Sequence, residues 1–383
     1  MKRKIIYQYV RELSTNGGVG GVAFFLGKEF EKKGYEVKNI TLKNFIFGKT
    51  LIKLSKSQNL LIKKFFLFLS VVYYTLMGTL LLKINNFKNK YNISIVHNDV
   101  LGGDIYINHG LHKVLLKQNG YMKMFLKNPL HLFLYMREEI RHKFNTYKYI
   151  VSFSKSDKKD LISLYSIDVN KIKLIPNGID LENFRFDNKK RDIIRNKMNV
   201  RENDFVLIFI GHEFERKGLK FLISAMQYLN ESFKLWIIGG NNTEISKYKK
   251  YVRKLNIKNI KFFGFQKNVV DFLNGADLFI LPSSHEAWPL VGLEAMATGK
   301  PVLATFINGF NEFIKEGENG FFIKQDEKDI AEKIKHVYEN KDLYEKLKKG
   351  ALDTAKQYSW DKVADKYIEV IDKVSEIKQG IKN

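Results

Sequence analysis

The chain contains no cysteine among its 383 residues. Disulfide bridges, thiolate metal sites and cysteine nucleophiles are therefore excluded, and this composition is one that a cytosolic protein permits. The sequence also lacks an RNA-binding signature and zinc-finger spacing, which argues against nucleic acid as the main partner. It shows no short internal repeat, so a solenoid is not expected.

Acidic residues are scarce beside basic ones, because 41 Asp and Glu stand against 65 Lys and Arg, for a formal net charge of +24. Two interpretations stay open. The charge can attract phosphate-rich partners such as anionic lipid, nucleic acid or phosphorylated substrates, or it can reflect a compositional bias in which lysine accompanies abundant Ile, Asn and Phe. A 45% hydrophobic and 14% aromatic content excludes a disordered chain, and the length suits two domains of ordinary size.

One long hydrophobic run extends from Phe65 to Leu82 and has lysines on both sides. At about 18 residues it reaches the lower edge of a membrane span. A buried helix and a helix lying on the bilayer surface are the alternatives. A span would separate flanking segments that both look like parts of one sheet, so we do not favour it. The apolar run in the opening "MKRKIIYQYV" is too short for a secretory signal.

The opening of the chain predicts a strand, a glycine loop, a helix and a second strand, at 4–10, "STNGGVGG", 22–33 and "YEVKNITL". Further short β-rich runs follow, a polar interval comes at 181–204, and the pattern then restarts with "FVLIFIG". Two such series predict an α/β protein with two doubly wound Rossmann-like domains that face a cleft. The predicted boundaries are 1–181 for the first domain, 182–203 for a linker and 204–360 for the second domain. Ligands are expected at the loops that leave the strands.

The stretch "SSHEAWPLVGLEAMATGKP" raises the question of why a buried helix carries two carboxylates. Glu286 is expected on the loop beyond a strand, and Pro289 in the first turn of the next helix, where its missing N–H costs nothing. Gly299 fits the position just after the end of this helix. Glu294 then lies in the first turns of the helix.

Free backbone N–H groups are expected at Leu290 and Val291, where the start of the helix attracts anions. A carboxylate accepts hydrogen bonds from sugar or ribose hydroxyls. An anion site between two carboxylates therefore suggests a sugar nucleotide. The alternative is a solvated loop glutamate together with a helix glutamate that complements the helix dipole.

The segment "HEAWPLVGLEAMATGKPVLAT" closely resembles the E-x7-E donor-site motif of retaining family 4 glycosyltransferases. Other segments occur in the order typical of that family, namely "GGV", "IPNGID", "GHEFERKG", "EGENGFFI" and "YSWDKVADKYI". The resemblance covers nearly the whole chain and implies the GT-B fold. It also implies that the C-terminal helix, 361–383, packs back on the first, acceptor-side domain, and that the second domain binds the donor.

The resemblance implies roles in the donor-binding domain. Lys217 matches the lysine that holds the donor diphosphate, and Arg216 is expected to assist because His212 replaces the arginine usual in the family. Both cations suit stabilisation of a departing nucleoside diphosphate. Glu286 matches the residue that contacts the transferred sugar, and Glu294 the one that contacts the ribose.

In the first domain, Gly17 and Gly18 match the family's glycine loop, where backbone can approach a phosphate or sugar closely. His109 falls where family members often have a histidine lining the sugar site, and it is expected to donate a hydrogen bond to a sugar hydroxyl. A lone histidine is otherwise usually structural. The sequence has no Asp-x-Asp motif, so no metal and no cofactor besides the nucleotide sugar are expected.

The resemblance implies a retaining transferase that moves a sugar, by family prior from UDP, to a cell-envelope glycan or lipid-linked acceptor. The segment 121–144 interleaves bulky apolar residues with Lys, Arg and His, which suits contact with an anionic membrane or a core helix with a solvated basic edge. We therefore expect a bacterial, cytoplasmic enzyme, peripheral on the inner face of the membrane, in the manner of lipopolysaccharide-core and capsular sugar transferases. The alternative is a catalytically inactive GT-B-like scaffold subunit of a membrane-associated assembly.

Overall fold

The structure, a computed structural model, describes residues 5–15, 18–286 and 288–380. The chain divides into two compact units. Unit 1 holds the residues up to Gly178 together with those from Trp360 onward, and unit 2 holds Ile179–Ser359.

The first part of unit 1 alternates short strands with helices, as the sequence predicted. Its elements are β1 Ile5–Tyr9, α1 Gly18–Lys32, β2 Glu36–Ile40, α2 Gly48–Ser55, α3 Leu60–Lys88, β3 Ile93–His97, β4 Ile105–Ile107, α4 His112–Asn119, α5 Tyr121–Lys127, α6 Leu130–Lys143, β5 Tyr149–Ser152, α7 Lys155–Tyr165 and β6 Ile172–Leu174. The strands form one sheet in the order β2-β1-β3-β4-β5-β6, and all neighbours pair in parallel.

Unit 2 repeats the same alternation around a second sheet. Its elements are α8 Asn188–Lys197, β7 Phe205–Ile210, α9 Leu219–Ala225, β8 Phe233–Ile238, α10 Asn242–Lys254, β9 Ile260–Gly264, α11 Val269–Gly275, β10 Leu278–Leu281, α12 Leu290–Ala297, β11 Val302–Thr305, α13 Phe310–Phe313, β12 Gly320–Ile323, α14 Glu327–Glu339 and α15 Lys341–Gln357. The strand order is β12-β11-β10-β7-β8-β9, again with parallel pairing.

The central strands of unit 2 explain why continuous apolar runs in the sequence predict strands. Residues 206–209 of β7 are consecutive and fully buried, because helices cover both faces of a parallel sheet. A continuous apolar run of this length is what such a strand requires. The predicted fold class of two Rossmann-like α/β domains is therefore confirmed at the level of each unit.

The last helix, α16 Trp360–Gln379, belongs to unit 1 although it follows unit 2 in the chain. It packs on α1 and on β3, and Trp360 stacks on Phe25 with the rings 5.6 Å apart. Lys33, which directly follows α1, forms ion pairs with Asp361 and Asp365 of α16, each at 2.7 Å. Unit 1 is thus assembled from two separate parts of the sequence.

The interval 182–203, predicted to be a linker, contains helix α8, and this part of the prediction is wrong. Ile194 is buried, while Arg191 and Arg195 pair with the carboxylate of Asp277 at 2.6 and 3.1 Å. The helix also contacts α11. Its charged residues made the segment look solvated, although Lys190, Arg191 and Arg195 make ion pairs within unit 2.

Helix α3 contains the apolar run and has two different faces. One face lies against the rest of unit 1, where Tyr74 is fully buried and donates a hydrogen bond to the Ile40 carbonyl. The other face exposes apolar side chains, including Leu76 at 62% and Leu80 at 52%. By length and composition alone, the helix is long and apolar enough to cross a membrane.

The segment 121–144 forms α5 and α6, and its basic residues do not all lie on a solvated edge. Arg137, Arg141 and His142 are buried. Arg141 donates hydrogen bonds to the carbonyls of Asn98 and Val100. Arg137 and Arg141 therefore hold the loop after β3, and the expectation of a solvated basic edge is wrong for these buried residues.

Candidate active site

The candidate site of unit 2 lies where the strand order reverses. From β7 the chain proceeds to β8 on one side of the sheet, while β10 lies on its other side. The loops that leave β7 and β10 therefore diverge, and such a switch point is where doubly wound folds bind ligands. The loop after β7, 211–218, carries Lys217, and the loop after β10, 282–289, carries Glu286.

Two glycines allow Lys217 to reach the site. The Lys217 side chain passes directly over Gly211, where an added Cβ would lie 2.2 Å from Lys217 Cδ. Gly218 has a φ of +69° and packs so closely on β10 that a Cβ would meet the Pro282 carbonyl oxygen at 2.0 Å. Any larger side chain at either position would displace the lysine or separate the two loops.

Lys217 and Glu286 form a buried ion pair. Lys217 Nζ lies 2.7 Å from Glu286 Oε1, and each side chain is 11% exposed. Ser283, which is fully buried, donates its hydroxyl to the same carboxylate oxygen at 2.9 Å. The carboxylate is thus fixed in position by two donors from separate loops.

Arg216 lies on the open side of this pair. It donates to Glu213 Oε2 through Nε at 3.1 Å and Nη2 at 2.8 Å, and its Nη1 lies 3.3 Å from Glu286 Oε1. The Arg216 carbonyl accepts from both the backbone N–H and the hydroxyl of Ser284. Side-chain and backbone bonds therefore join the two loops to each other.

The start of α12 differs from the prediction. Pro289 is the residue before the helix, with φ −82° and ψ 78°, so it does not lie in the first turn. The Leu290 N–H donates to the Trp288 carbonyl at 3.0 Å and is not free, because ψ of Pro289 turns the chain back on itself. The Val291 N–H has no hydrogen-bond partner among the described residues, as predicted for an anion site. Gly299, at φ +73°, follows the helix end as expected.

Glu294 lies one turn into α12. Burial raises the pKa of its carboxyl group to about 7. No residue in the described part of the chain donates a hydrogen bond to this carboxylate. A buried carboxyl group with a pKa shifted in this way is a candidate functional residue.

His212 and Phe265 lie at the ends of β7 and β9. Their rings are nearly parallel, at 18° with centroids 6.3 Å apart, and Phe265 is 72% exposed. His212 itself is exposed and does not join the ion-pair cluster. Arg216 is accordingly the arginine that this loop places beside Glu286.

In unit 1, Gly17 lies outside the described residues. Gly18 is exposed, begins α1 and has a φ of +65°. An added Cβ at Gly18 would meet nothing within 4 Å, so its backbone borders open space.

His109 follows β4 and is partly exposed. Its Nε2 lies 3.1 Å from Nδ1 of His97, which is fully buried. Burial lowers the pKa of His109 to about 3, so its ring is neutral at physiological pH. The adjacent Asn108 has a buried side-chain nitrogen without a partner in the described structure.

Several residues of the site were not found from the sequence. Ser283 and Glu213 hold Glu286 and Arg216 in place, and His97 contacts His109. Serine and glutamate in loops are too common to single out. Only the fold brings His97, which ends β3, next to the end of β4. Within the described ranges, no group of three or more His, Asp or Glu side chains is arranged to hold a metal ion.

Comparison with known proteins gives the site a family context. Residues 190–354 match the family model "Glycosyl transferases group 1". The chain is 30% identical over 181 residues to the Escherichia coli protein UDP-Gal:alpha-D-GlcNAc-diphosphoundecaprenol alpha-1,3-galactosyltransferase, covering 46% of this chain and 47% of the relative. It is 29% identical over 210 residues to the Campylobacter jejuni protein N,N'-diacetylbacillosaminyl-diphospho-undecaprenol alpha-1,3-N-acetylgalactosaminyltransferase, covering 54% and 55%. The chain thus spans about half the length of these curated relatives.

The fold comparison covers more of the chain. The crystal structure of WaaG, a glycosyltransferase involved in lipopolysaccharide biosynthesis, matches 98% of this chain and 100% of its own, with a TM-score of 0.70 and 19% identity. The two Rossmann-like units therefore have the architecture of GT-B glycosyltransferase structures. The matched family domain, 190–354, contains the whole Lys217–Glu286 site.

Proposed function

We propose that the protein is a retaining glycosyltransferase of family 4. It transfers a sugar from a nucleoside diphosphate sugar, with UDP as the expected nucleotide, to a lipid-linked or envelope-glycan acceptor. The observation that carries the proposal is the Lys217–Glu286 pair at the switch point, with Arg216 beside it. Glu294, on the following helix, accepts no hydrogen bond from the part of the chain that the structure describes. The family match over the same residues supports it.

Each group has a role that its surroundings support. Lys217 and Arg216 neutralise the diphosphate, whose negative charge increases as the sugar–phosphate bond breaks. Glu286 accepts hydrogen bonds from hydroxyls of the transferred sugar, and Glu294 accepts them from the ribose. The N–H of Val291, which has no partner among the described residues, adds a donor for a phosphate oxygen.

A retaining outcome follows if the acceptor hydroxyl attacks on the face from which the diphosphate leaves. The attacking oxygen forms the new bond to the anomeric carbon as the old carbon–oxygen bond breaks. The departing phosphate oxygen takes the acceptor proton, so no protein base is required. Catalysis then consists mainly of positioning and charge neutralisation.

The relatives named above support the choice of donor and acceptor class. By its name, the Escherichia coli relative uses UDP-galactose and an undecaprenol diphosphate-linked sugar, and the Campylobacter jejuni relative also acts on a diphospho-undecaprenol substrate. We therefore propose a lipid-linked acceptor presented at a membrane. The catalytically inactive alternative has no supporting feature, and the contact of Lys217 and Arg216 with Glu286 speaks against it.

We further propose that α3 lies on the membrane surface without crossing it. A span requires lipid-compatible side chains around the helix, but one face of α3 is part of unit 1. Ser70 on that face accepts a hydrogen bond from Arg11, and Thr75 accepts one from Arg137. The opposite, apolar face is free to enter the headgroup region, with Lys63 and Lys64 near lipid phosphates. The exposed apolar face of α3 supports the proposal of a membrane-peripheral protein, which we place on the cytoplasmic side.

A donor panel tests the proposal. Purified protein is incubated with UDP-, GDP- and ADP-sugars and an undecaprenyl diphosphate-linked sugar, and transfer is followed by mass spectrometry of the lipid product. Transfer from one donor class, with an α-linked product and undiminished rate in EDTA, is expected. Absence of transfer and of hydrolysis with every donor, from protein that binds UDP, would favour the scaffold alternative.

A further inference from the structure

A line of hydrogen-bonded side chains crosses the sheet of unit 1 and ends at His109. It runs from Asn39 on β2 through Gln8 on β1 and His97 on β3. Gln8 and His97 are both fully buried. The four side chains therefore belong to four adjacent segments of the sheet, and the two at the ends, Asn39 and His109, are partly exposed.

The orientation of the Gln8 amide is fixed by a backbone group. Its Nε2 donates to the Ala23 carbonyl at 3.1 Å, and a carbonyl oxygen can only accept. The same nitrogen donates to Asn39 Oδ1 at 3.1 Å. The amide oxygen of Gln8 must consequently face His97, whose Nε2 lies 3.3 Å away.

This orientation determines the tautomers of both histidines. Because Gln8 Oε1 is an acceptor, His97 carries its proton on Nε2, and its Nδ1 is left unprotonated. His97 Nδ1 therefore accepts from His109 Nε2 across 3.1 Å. His109 then bears its proton on Nε2, and its own Nδ1 keeps a lone pair.

Protonation of His97 or His109 does not change this tautomer assignment at neutral pH. Burial lowers the pKa of His97 well below its ordinary value, with a further contribution from His109, and burial lowers that of His109 to about 3. The rings that contact His109 are His97 and Phe153, of which only His97 titrates. No described residue makes a hydrogen bond to His109 Nδ1.

We propose that Gln8 and His97 are positioning residues that hold His109 in its Nε2-protonated tautomer, so that Nδ1 accepts a hydrogen bond from a hydroxyl of the transferred sugar. The sugar as ligand rests on the proposed function, whereas the tautomer does not. The sequence suggested that His109 donates, and the network gives it the opposite role. A lone pair in this position accepts from a hydroxyl but repels a phosphate oxygen, so it selects the sugar end of a sugar nucleotide.

Nuclear magnetic resonance of the full-length protein labelled with ¹⁵N-histidine tests the tautomer directly. Long-range ¹H–¹⁵N spectra distinguish the two neutral forms, and the His109→Gln spectrum identifies the His109 signals. We expect a protonated Nε2 and a bare Nδ1 at His109 throughout pH 5.5 to 8. A protonated Nδ1, or a ring that titrates near its ordinary pKa of about 6.5, overturns the proposal.

Variants test the relay itself. In His97→Leu, His109 is expected to show both tautomers and a pKa closer to its ordinary value, while the control His336→Gln in unit 2 leaves the His109 signals unchanged. Gln8→Met removes the anchor and leaves both rings in place. An unchanged His109 tautomer in folded Gln8→Met and His97→Leu protein contradicts the relay. The unmodified protein decides the tautomer even if a variant does not fold.

The ligand part uses UDP-galactose as the probe and UDP as its matched control. UDP-galactose is expected to shift the His109 Nδ1 resonance upfield, as acceptance of a hydrogen bond does, and UDP is expected to leave it in place. An Nδ1 signal that stays in place while UDP-galactose shifts other resonances overturns the sugar contact. Failure of the proposed function would appear separately, as absence of transfer with an intact Nε2-protonated His109.

Discussion

Lys217 Nζ lies 2.7 Å from Glu286 Oε1, although the two residues are 69 positions apart in the chain. Each comes from a loop at the switch point of the unit 2 sheet. The pair joins the cation proposed to hold the diphosphate to the carboxylate proposed to hold the sugar. In the absence of a ligand, each therefore compensates the charge of the other.

Removal of Lys217 is expected to abolish transfer and to destabilise unit 2. Lys217→Met leaves Glu286 with only Ser283 and Arg216, and the free energy of unfolding should fall by about 3 kcal/mol, since breaking a buried pair leaves an uncompensated charge. The kcat/KM for transfer should fall by about 100-fold or more. Urea denaturation and the transfer assay measure the two effects.

The double variant Lys217→Met/Glu286→Gln separates stability from catalysis. It removes both charges, so most of the lost stability should return while activity stays low. Lys220→Met is the matched control on an exposed lysine of α9 and should change neither quantity. Additive destabilisation in the double variant would contradict the coupling of the pair.

Glu294→Gln is expected to change stability with a particular pH dependence. Because burial raises the pKa of Glu294 to about 7 in the folded protein, above its ordinary value, the folded state favours the protonated form. Its contribution is present at low pH and is lost as the pH rises through 7. The variant should therefore be more stable than the unmodified protein by about 1–3 kcal/mol at pH 8 and nearly equal to it at pH 4.5.

The affinity for UDP should fall in Glu294→Gln, although the stability of this variant rises at pH 8. An amide accepts hydrogen bonds less strongly than a carboxylate, so calorimetry at pH 8 should show weaker UDP binding by Glu294→Gln. Glu332→Gln, on the exposed side of α14, is the control for both measurements. Unchanged UDP affinity in Glu294→Gln would remove Glu294 from the proposed ribose contact.

The exposed face of α3 is expected to mediate vesicle binding. Leu76→Lys/Leu80→Lys should reduce flotation with vesicles of phosphatidylglycerol and phosphatidylcholine by about tenfold or more, because two apolar anchors are replaced by charges. Both side chains are more than half exposed, so the thermal midpoint should not change. Ile193→Lys, which replaces another exposed apolar residue in unit 2, is the control, and equal flotation of all three proteins would exclude α3 as the contact.

Acid is expected to destabilise unit 1 through its buried histidines. Burial lowers the pKa of His142 to about 3, with a further contribution from Arg141, and the pKa of His112 to about 4, with a further contribution from His131. His97 and His109 are lowered as well. Their stabilisation is present above the unfolded value of about 6.5 and is lost as the pH falls toward 4.

Each of these groups should cost about 2 kcal/mol between pH 6.5 and 5, and their combined effect exceeds the opposite effect of the single Glu294. Urea denaturation at pH 8 and pH 5 gives the difference, and it should shrink in His142→Gln but not in His285→Gln, whose ring is exposed. A difference that does not depend on His142 would assign the acid sensitivity elsewhere.

The sequence predicted the strands and the fold class because buried parallel strands require apolar runs such as 205–210. It also placed Glu286 on the loop after β10 and Gly299 at the end of α12. It missed α8, whose arginines face Asp277, since a polar helix that pairs its charges resembles a linker. It wrongly left the Leu290 N–H free, because the backbone angle at Pro289 cannot be read from residue type.

The features that the sequence did not predict depend on contacts between segments that are distant in the chain. The tautomer of His109 depends on the Ala23 carbonyl, which is 86 positions away in sequence. Gln8 and His97 connect the two through hydrogen bonds. The Lys217–Glu286 distance likewise follows from how closely Gly218 packs on Pro282. Spacing within one motif contains neither relationship.

The split of unit 1 between the two parts of the chain has a consequence for synthesis on the ribosome. When residue 178 has emerged, the surface of α1 that receives Trp360 and Tyr367 is still uncovered, and all of unit 2 is translated before α16 appears. Unit 2 can thus complete its core first. Phe30 remains uncovered until Tyr367 is translated, since the two rings lie 6.4 Å apart in the folded protein. A fragment of residues 1–178 should therefore aggregate unless α16 is supplied as a separate peptide.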